Sequence, residues 1–265
     1  MGYRLAISNI AWAAENDDAA YDLMHRLGFV GLEIAPTRVF PENPYDQIDA
    51  AANWSRKLNA EQGFVVPSMQ SIWYGRKENI FASDADRKAL LDYTRSAIDF
   101  AAACGISNLV FGCPRNRNMP ENANPNDAIT FFGDIARYAS ECGCVIGLEA
   151  NPPIYNTNYI NETAQALDVI EQVSQPGLML NLDLGTVIAN GESLEILKNR
   201  VSVIHHVHVS EPGLKVIEKR ELHRELAQLL KNGGYSGFVS IEMGRVDSLA
   251  TLEQTMVYVR DIFGE

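Results

Sequence analysis

Eight short apolar segments alternate with helix-like segments along almost the whole chain, and this alternation limits the possible folds more than any other sequence feature. The predicted strands cover residues 4–10, 28–34, 64–70, 108–112, 145–149, 178–183, 201–209 and 238–242. They are rich in Val, Ile, Leu and Phe and are too short for helices, as expected of strands that are covered on both faces. This alternation predicts an α/β protein with a parallel sheet.

The segments between the strands have the features of helices. Ser83 is placed to cap a helix whose first turn is acidic, and Gly105 marks its end. Apolar residues recur every three or four positions between them, and again in a last helix over residues 249–263. A short helix is predicted at about 194–199, between the sixth and seventh strands.

Eight strands, each followed by a helix, predict a single (β/α)₈ TIM barrel, and we expect residues 1–265 to form one such domain. An open doubly wound sheet is the alternative. It usually binds a nucleotide at a glycine-rich first turn, which residues 8–12 lack. The longest connections after strands, at 35–44, 71–82 and 113–124, would lie together on the catalytic face of a barrel.

The acidic composition argues against general nucleic-acid binding. The chain has 22 Lys and Arg against 34 Asp and Glu, a net charge of −12, whereas nucleic-acid-binding proteins normally carry a basic patch. No run approaches the roughly 20 apolar residues of a membrane span, and residues 1–6 lack the apolar stretch of a signal peptide. We therefore expect a cytoplasmic protein with a small-molecule partner, no nucleic acid and no membrane; a homo-oligomer is left open.

Four polar residues stand where the last four predicted strands end: Glu149, Asp183, His208 and Glu242. They are 34, 25 and 34 residues apart, so that neighbouring strands would carry three carboxylates and one imidazole to the mouth of a barrel. Such like charges raise each other's pKa unless a cation joins them. This donor set suits Mn²⁺ or Mg²⁺, with Co²⁺ and Zn²⁺ as further options. The alternative is that each acid caps a helix or pairs with an arginine.

Several short motifs follow one another in order from the second strand to the last. They are Gly-Leu-Glu at 31–33, Gly-Leu-Glu-Ala-Asn at 147–151, Leu-Asp-Leu-Gly at 182–185, His-Val-His-Val-Ser-Glu at 206–211 and Gly-Tyr-Ser-Gly-Phe-Val-Ser-Ile-Glu at 234–242. With these motifs the sequence resembles the xylose isomerase-like TIM-barrel superfamily, in particular its sugar (phosphate) isomerase/epimerase branch. The resemblance spans essentially the whole chain.

The resemblance implies that Glu149, Asp183, His208 and Glu242 hold one catalytic divalent metal ion. In the related ketose 3-epimerases the two glutamates also act as acid and base on opposite faces of the substrate carbon. Carried over, Glu149 or Glu242 would remove a proton beside the carbonyl of a small ketose or sugar phosphate, giving a metal-stabilised enediolate. Return of the proton to the other face is epimerisation, and its return to the adjacent carbon is aldose–ketose isomerisation.

Two positions depart from the pattern of these relatives. Many of them have a histidine three residues after the strand-six aspartate, where this chain has Thr186. The epimerases also tend to carry an arginine six residues beyond the metal histidine, where this chain has Leu214. Thr186 counts against a multi-zinc site like that of the related abasic-site endonucleases, which use more histidines than the five present here.

Six residues near the strand ends are candidates to contact the substrate: Trp12, Trp73, Arg115, Asn151, Glu211 and Arg245. The tryptophans would form an apolar wall for a carbon chain, with packing as the alternative. Arg115, together with Arg117, would grip a carboxylate or phosphate, and Arg245 would neutralise acidic groups; plain solvent exposure is the alternative for the Arg115 pair. Asn151 and Glu211 would bind hydroxyl groups.

Two further polar positions have alternative interpretations. Glu33 closes the second strand and would either lie in the pocket or pair with Arg38. His205 and His206 are expected to pack within the seventh strand rather than bind a metal, although His206 shares a face with His208 and would lie next to it.

The predicted activity is that of a metal-dependent sugar isomerase or 3-epimerase. The same enolisation followed by loss of hydroxide would make a dehydratase of a keto-inositol. A phosphodiester hydrolase like the abasic-site endonucleases is disfavoured by the acidity and the missing histidines. A non-catalytic sugar-binding barrel would not need all four ligands.

Overall fold

Eight parallel strands curve into a barrel in the structure, a computed structural model that describes residues 2–264. The strands are β1 (Arg4–Ser8), β2 (Gly31–Glu33), β3 (Ser68–Met69), β4 (Asn108–Phe111), β5 (Val145–Leu148), β6 (Leu178–Asp183), β7 (Ile204–Val209) and β8 (Phe238–Ile241). Their order is β2–β1–β8–β7–β6–β5–β4–β3, and isolated parallel bridges Gly31–Val65 and Ile34–Met69 join the two edges. The predicted (β/α)₈ fold is confirmed; the predicted domain limits, residues 1 and 265, lie outside the described residues.

Helices follow the strands and cover the outside of the barrel. They are α1 (Asp17–Leu27), α2 (Pro36–Val39), α3 (Ile48–Gln62), α4 (Asp84–Cys104), α5 (Asn126–Glu141), α6 (Thr163–Val173), α7 (Leu184–Asn190), α8 (Glu221–Asn232) and α9 (Leu249–Phe263). The side chain of Ser83 caps α4 by accepting a hydrogen bond from the backbone of Asp86, and Gly105 ends the helix with φ of 73°. Both predicted ends of this helix are confirmed, because a left-handed residue suits glycine.

Two predicted elements differ from the structure. The α-helix between β6 and β7 is α7, which begins directly after Asp183, whereas residues Leu194–Leu197 form only a 3₁₀ turn. The side chain of Asp183 caps α7 by accepting from the backbone of Thr186, so this helix starts at the strand end. The third strand is shorter than the predicted 64–70 because Pro67 has no N–H for the ladder.

The interior of the barrel is polar, although most (β/α)₈ barrels fill it with Val, Ile and Leu. Within it the amide of Asn108 donates to Ser68 at 3.0 Å and to Asn181 at 3.3 Å. On the other side Gln70 donates to Ser8 at 2.9 Å. Apolar residues alternate with these positions and face the helices, and the strand segments therefore looked more uniformly apolar in the sequence than the interior is.

The pairing of β6 with β7 places two strand-end residues directly opposite each other. A register shift between Leu180 and Asn181 leaves one extra residue on β7, so that Asn181 pairs with His206 and Asp183 pairs with His208. Because residues two apart on a strand share a face, both pairs point into the barrel. The carboxyl end of this strand pair is therefore the floor of the site described next.

Candidate metal centre

The carboxyl ends of β5 to β8 bring four predicted ligands together. Glu149, Asp183, His208 and Glu242 each offer a ligand atom, and these atoms all lie within 4.8 Å of one another. Nδ1 of His208 is 3.1 Å from Oε2 of Glu149 and 3.3 Å from Oε2 of Glu242. None of the four residues is more than 8% exposed. The spacing seen in the sequence thus corresponds to one buried cluster, hereafter the metal cluster.

Asp183 is held by hydroxyl groups on both sides. The backbone N–H and the hydroxyl of Thr186 each donate to Oδ2 of Asp183 at 2.8 Å. The hydroxyl of Ser210 donates to Oδ1. Thr186 therefore orients the neighbouring carboxylate.

Glu149 is held by two side-chain amides. Asn151 donates to Oε1 at 2.9 Å, and Asn181 donates to Oε2 at 2.8 Å. A Cβ at Gly112 on the adjacent strand end would lie 3.0 Å from Oε1, so a glycine leaves the carboxylate its space. Hydrogen bonds to both oxygens fix the orientation of the carboxylate of Glu149.

Among residues 2–264, neither Lys nor Arg lies within ion-pair distance of the three carboxylates of the metal cluster, and the basic group beside Glu149 and Glu242 is the imidazole of His208. Burial and the neighbouring Glu149 raise the pKa of Asp183. Burial also raises the pKa of Glu242, with Glu149 and Asp183 adding to it. Burial alone would lower the pKa of His208, but the surrounding glutamates raise it well above its ordinary value. Such a buried excess of negative charge is what a cation would relieve.

The donor set therefore fits a hard divalent cation. Three carboxylates and one imidazole are the ligand types of Mn²⁺ and Mg²⁺ sites, and Co²⁺ and Zn²⁺ use them as well. The predicted alternative of helix capping applies to Asp183, which caps α7 with one oxygen while its other oxygen accepts from Ser210. The predicted alternative of an arginine pair applies to none of the three carboxylates in the described part of the chain.

A buried glutamate from β2 lies beneath the metal cluster. Oε2 of Glu33 is 2.9 Å from Nε2 of His208, the ring nitrogen that faces away from the cluster. Nε2 of His206 lies 3.0 Å from the same oxygen without the alignment of a hydrogen bond. Arg38 pairs with Asp17, so the predicted ion pair with Glu33 is wrong, and Glu33 is not among the residues that line the cavity above the metal cluster. Burial would raise the pKa of Glu33, but the two histidines outweigh it and hold that pKa below its usual range.

A cavity of about 160 Å³ opens above the metal cluster. Glu149, Asp183 and Glu242 line it, together with Gln70, Ser71, Val110, Gly112, Cys113, Pro114, Asn151, Tyr155, Ser210, Glu211 and Leu214. Gln70 and Tyr155 were not among the predicted substrate residues. Gln70 stands at the end of the third predicted strand, just as the acids stand at the ends of later strands. Its position could therefore have predicted that it lies at the cavity. Tyr155 lies in a loop, and its sequence carries no such signal.

Only two of the six predicted substrate residues line this cavity. Asn151 does so beside Glu149, and Glu211 does so while accepting two hydrogen bonds of 2.7 Å from Arg220. Arg115 and Arg245 are exposed and do not line it, and Arg245 pairs with Asp247. Arg220 was missed because it stands nine residues beyond its partner in an irregular segment.

The two predicted tryptophans are packed beneath the surface. The indole of Trp12 is buried and donates to Asp17 at 2.7 Å. The indole of Trp73 donates to Thr94 at 2.9 Å and packs edge-on against Phe111. Neither ring lines the cavity, and packing, the alternative stated for both, is the arrangement that the structure has.

Arg117 does not lie beside Arg115 as one half of an anion grip. It is fully buried and donates to the backbone carbonyl of Glu149 and to Oδ1 of Asn151, both at 2.9 Å. A third hydrogen bond of 3.2 Å reaches the carbonyl of Ile160. Arg117 thereby joins the loops after β4 and β5 behind the metal cluster.

A larger groove of about 840 Å³ lies between α8 and the turn at Leu194–Leu197. It holds no member of the metal cluster and is lined partly by exposed charged side chains. Its size alone therefore does not make it the active site. Among the described residues, no helix has the length and hydropathy needed for a transmembrane segment.

Comparison with known proteins finds a matching family model and solved structures that share the fold over nearly the whole chain. A family model described as xylose isomerase-like TIM barrel matches residues 21–261. The 3-keto-D-glucoside 4-epimerase of E. coli is similar in structure, with a TM-score of 0.76 and 17% identity over 98% of this chain and 99% of that one. A D-psicose 3-epimerase, determined in the presence of D-fructose, has a TM-score of 0.76 and 16% identity over 100% of both chains. An L-ribulose 3-epimerase has a TM-score of 0.74 and 17% identity over 99% and 93%. No curated relative matches the chain by sequence.

Proposed function

The chain belongs to the xylose isomerase-like TIM barrel family, and we propose that it is a divalent-metal-dependent epimerase or isomerase of a small, unphosphorylated ketose. The observation that carries the proposal is the metal cluster, in which two glutamates, an aspartate and a histidine lie within 4.8 Å at the base of a small cavity. The epimerases named above share the fold, and the substrates in their names are sugars or sugar derivatives.

In the proposed reaction, Glu149, Asp183, His208 and Glu242 hold the metal ion. A divalent cation supplies Lewis-acid polarisation of a substrate carbonyl, which acidifies the neighbouring C–H. One of the two glutamates removes the proton from that carbon, and the other returns a proton to the opposite face or to the adjacent carbon. Epimerisation needs two carboxylates, because a single base would return the proton to the face of the carbon from which it was taken.

The two glutamates differ in how firmly they are held. Glu149 accepts amide hydrogen bonds at both oxygens, whereas the carboxylate of Glu242 lies 3.3 Å from Nδ1 of His208 and accepts no amide hydrogen bond from the described side chains. Glu242 therefore keeps the freedom to turn toward a substrate carbon. Asn151 and Glu211, which both line the cavity, would bind substrate hydroxyl groups.

The cavity favours a neutral sugar over a sugar phosphate. None of its lining residues is Lys or Arg in the described part of the chain. Arg117 is buried with its donors directed to protein acceptors, and Leu214 stands where related epimerases tend to have arginine. Phosphate sites normally supply guanidinium, ammonium or helix N-terminal donors, whereas this lining presents carboxylates.

Deuterium exchange tests the proposed reaction. The Mn²⁺-loaded protein would be incubated in D₂O with a panel of free ketoses and the matching ketose phosphates, and products would be followed by NMR. An epimerase should place deuterium at C3 and an aldose–ketose isomerase at C1 or C2, with free sugars preferred. The Glu242→Gln variant serves as the control and should lose the exchange. Absence of exchange with every ketose and with a keto-inositol would refute the enolisation chemistry.

A further inference from the structure

Glu33 is a buried acid that the proposed reaction does not use. It lies at the end of β2, its residue is 0% exposed, and its ion-pair partners among residues 2–264 are His206 and His208. Burying a carboxylate without a lysine or arginine is costly. The two histidines that contact Glu33 are therefore the groups that stabilise its buried carboxylate.

The two ring nitrogens of His208 face different surroundings. Nδ1 faces Glu149 and Glu242 in the metal cluster, while Nε2 is 2.9 Å from Oε2 of Glu33. A histidine that binds a metal through one nitrogen must present a lone pair there, and the hydrogen bond made by the other nitrogen decides which one carries the hydrogen. A carboxylate at Nε2 keeps the hydrogen on that side.

We propose that Glu33 is a positioning residue, which accepts a hydrogen bond from Nε2–H of His208 and so presents Nδ1 to the divalent metal ion. The inference rests on the proposed function, because it concerns the metal that this function requires. His206 packs edge-on against His208, with ring centroids 5.3 Å apart, and this contact limits the rotation of the imidazole.

The backbone around Glu33 is suited to hold a fixed geometry. Glu33 pairs in register with Ser8 on β1, and thus stands on a strand rather than in a loop. Two residues earlier, a Cβ at Gly31 would come within 2.8 Å of Ala6 and of the Phe238 ring, so β2 is packed closely against its neighbours. Functional groups carried on such rigid elements hold their geometry better than groups on loops.

Metal-binding measurements with Mn²⁺ alone test this proposal. Titration calorimetry would compare the wild-type protein with Glu33→Gln and Glu33→Met, and Ser240→Ala would serve as the matched control. Ser240 is buried in the same interior, and its hydroxyl has no hydrogen-bond partner among the described residues. Methionine removes the accepting oxygen and should weaken binding about 10- to 100-fold. Glutamine keeps a neutral acceptor and should restore part of the affinity, whereas Ser240→Ala should bind as the wild type does.

A spectroscopic measurement separates positioning from a general structural effect. In the protein loaded with diamagnetic Zn²⁺, ¹H–¹⁵N correlation of the five histidines should show a downfield Nε2–H resonance for His208. Glu33→Gln should move that resonance upfield, because a neutral acceptor makes the weaker hydrogen bond. A folded Glu33 variant that binds Mn²⁺ within twofold of wild type overturns the positioning role alone. A stoichiometry of two ions, one of them lost in Glu33→Gln, also overturns it, since Glu33 would then be a ligand. Failure of the wild type to bind Mn²⁺ would refute the proposed function itself.

Discussion

Replacing Arg117 by methionine should destabilise the fold far more than the same change at Arg115. The two arginines stand two residues apart in the same 3₁₀ turn, yet Arg117 is 0% exposed and Arg115 is exposed. Only Arg117 donates hydrogen bonds to the loop that follows Glu149. The pair is therefore a matched comparison of one buried and one exposed guanidinium.

The expected magnitude follows from the contacts of Arg117. Its three hydrogen bonds, at about 2 kcal/mol each for a charged donor, contribute about 6 kcal/mol. Burial lowers the pKa of Arg117 from 12.5 to about 10 against the opposing effect of nearby acidic groups, which corresponds to a net cost of about 3 kcal/mol for keeping the guanidinium charged, a cost that methionine would not incur. The net loss on Arg117→Met is about 3 kcal/mol, whereas Arg115→Met should stay within about 0.5 kcal/mol.

Urea unfolding followed by circular dichroism would measure both variants against the wild type. In thermal unfolding, the same loss of about 3 kcal/mol corresponds to a decrease in Tm of about 6–10 °C for a protein of this size. Arg117→Lys keeps the charge but loses the planar fork, and its stability should fall between those of wild type and Arg117→Met. If Arg117→Met and Arg115→Met unfold within 1 kcal/mol of each other, the reasoning from the buried hydrogen bonds is refuted.

Three further predictions concern metal, pH and packing. Mn²⁺ at about 100 times its Kd should stabilise the EDTA-treated protein by about 2.7 kcal/mol, raising Tm by about 5–10 °C, and a similar rise in Asp183→Asn would contradict the ligand assignment. Burial lowers the pKa of His223 in the folded protein to about 4, whereas its pKa in the unfolded protein is near 6.5. Between these values the unfolded protein binds a proton at His223 and the folded protein does not. The contribution of neutral His223 to the free energy of unfolding is therefore complete above pH 6.5 and should fall by about 2 kcal/mol between pH 7 and 4.5. Urea titrations at several pH values should show that this pH-dependent loss of stability disappears in His223→Gln and persists in the control His25→Gln, which changes an exposed histidine. Trp73→Phe removes the hydrogen bond to Thr94 and should cost about 1–2 kcal/mol of stability with KM for the ketose unchanged, and a raised KM would restore a substrate role for the ring.

The positions at which the strands end were predicted closely from the local sequence pattern. Strands β5 and β8 each run to the residue before a predicted acid, and β6 ends on Asp183 itself. Alternation and strand length depend on neighbouring residues, and the carboxyl ends of parallel strands meet at one end of a barrel. The grouping of the metal cluster was therefore predictable from the sequence, although its metal remains a proposal.

Whether a side chain lines the cavity or packs elsewhere was predictable only for residues close in sequence to a strand end. Asn151, two residues after a ligand, lines the cavity, but Trp12 and Trp73 turn into the packing between helices and loops. Arg115 and Arg117 look alike in the sequence, and the turn that carries them exposes one guanidinium and buries the other. Such choices depend on which side chains from distant segments fill the same space.

By itself the sequence determined the alternation of strands and helices, the (β/α)₈ topology and the four polar residues at the ends of the last strands, because each rests on periodicities or strand lengths within a few residues. Only the tertiary structure decided that the barrel interior is polar, that no Lys or Arg of residues 2–264 lines the cavity, and that Glu33 lies 2.9 Å from Nε2 of His208. Those two residues are 175 positions apart and come from strands separated by two others. Their contact exists only once the sheet has curved and closed, which no local pattern records.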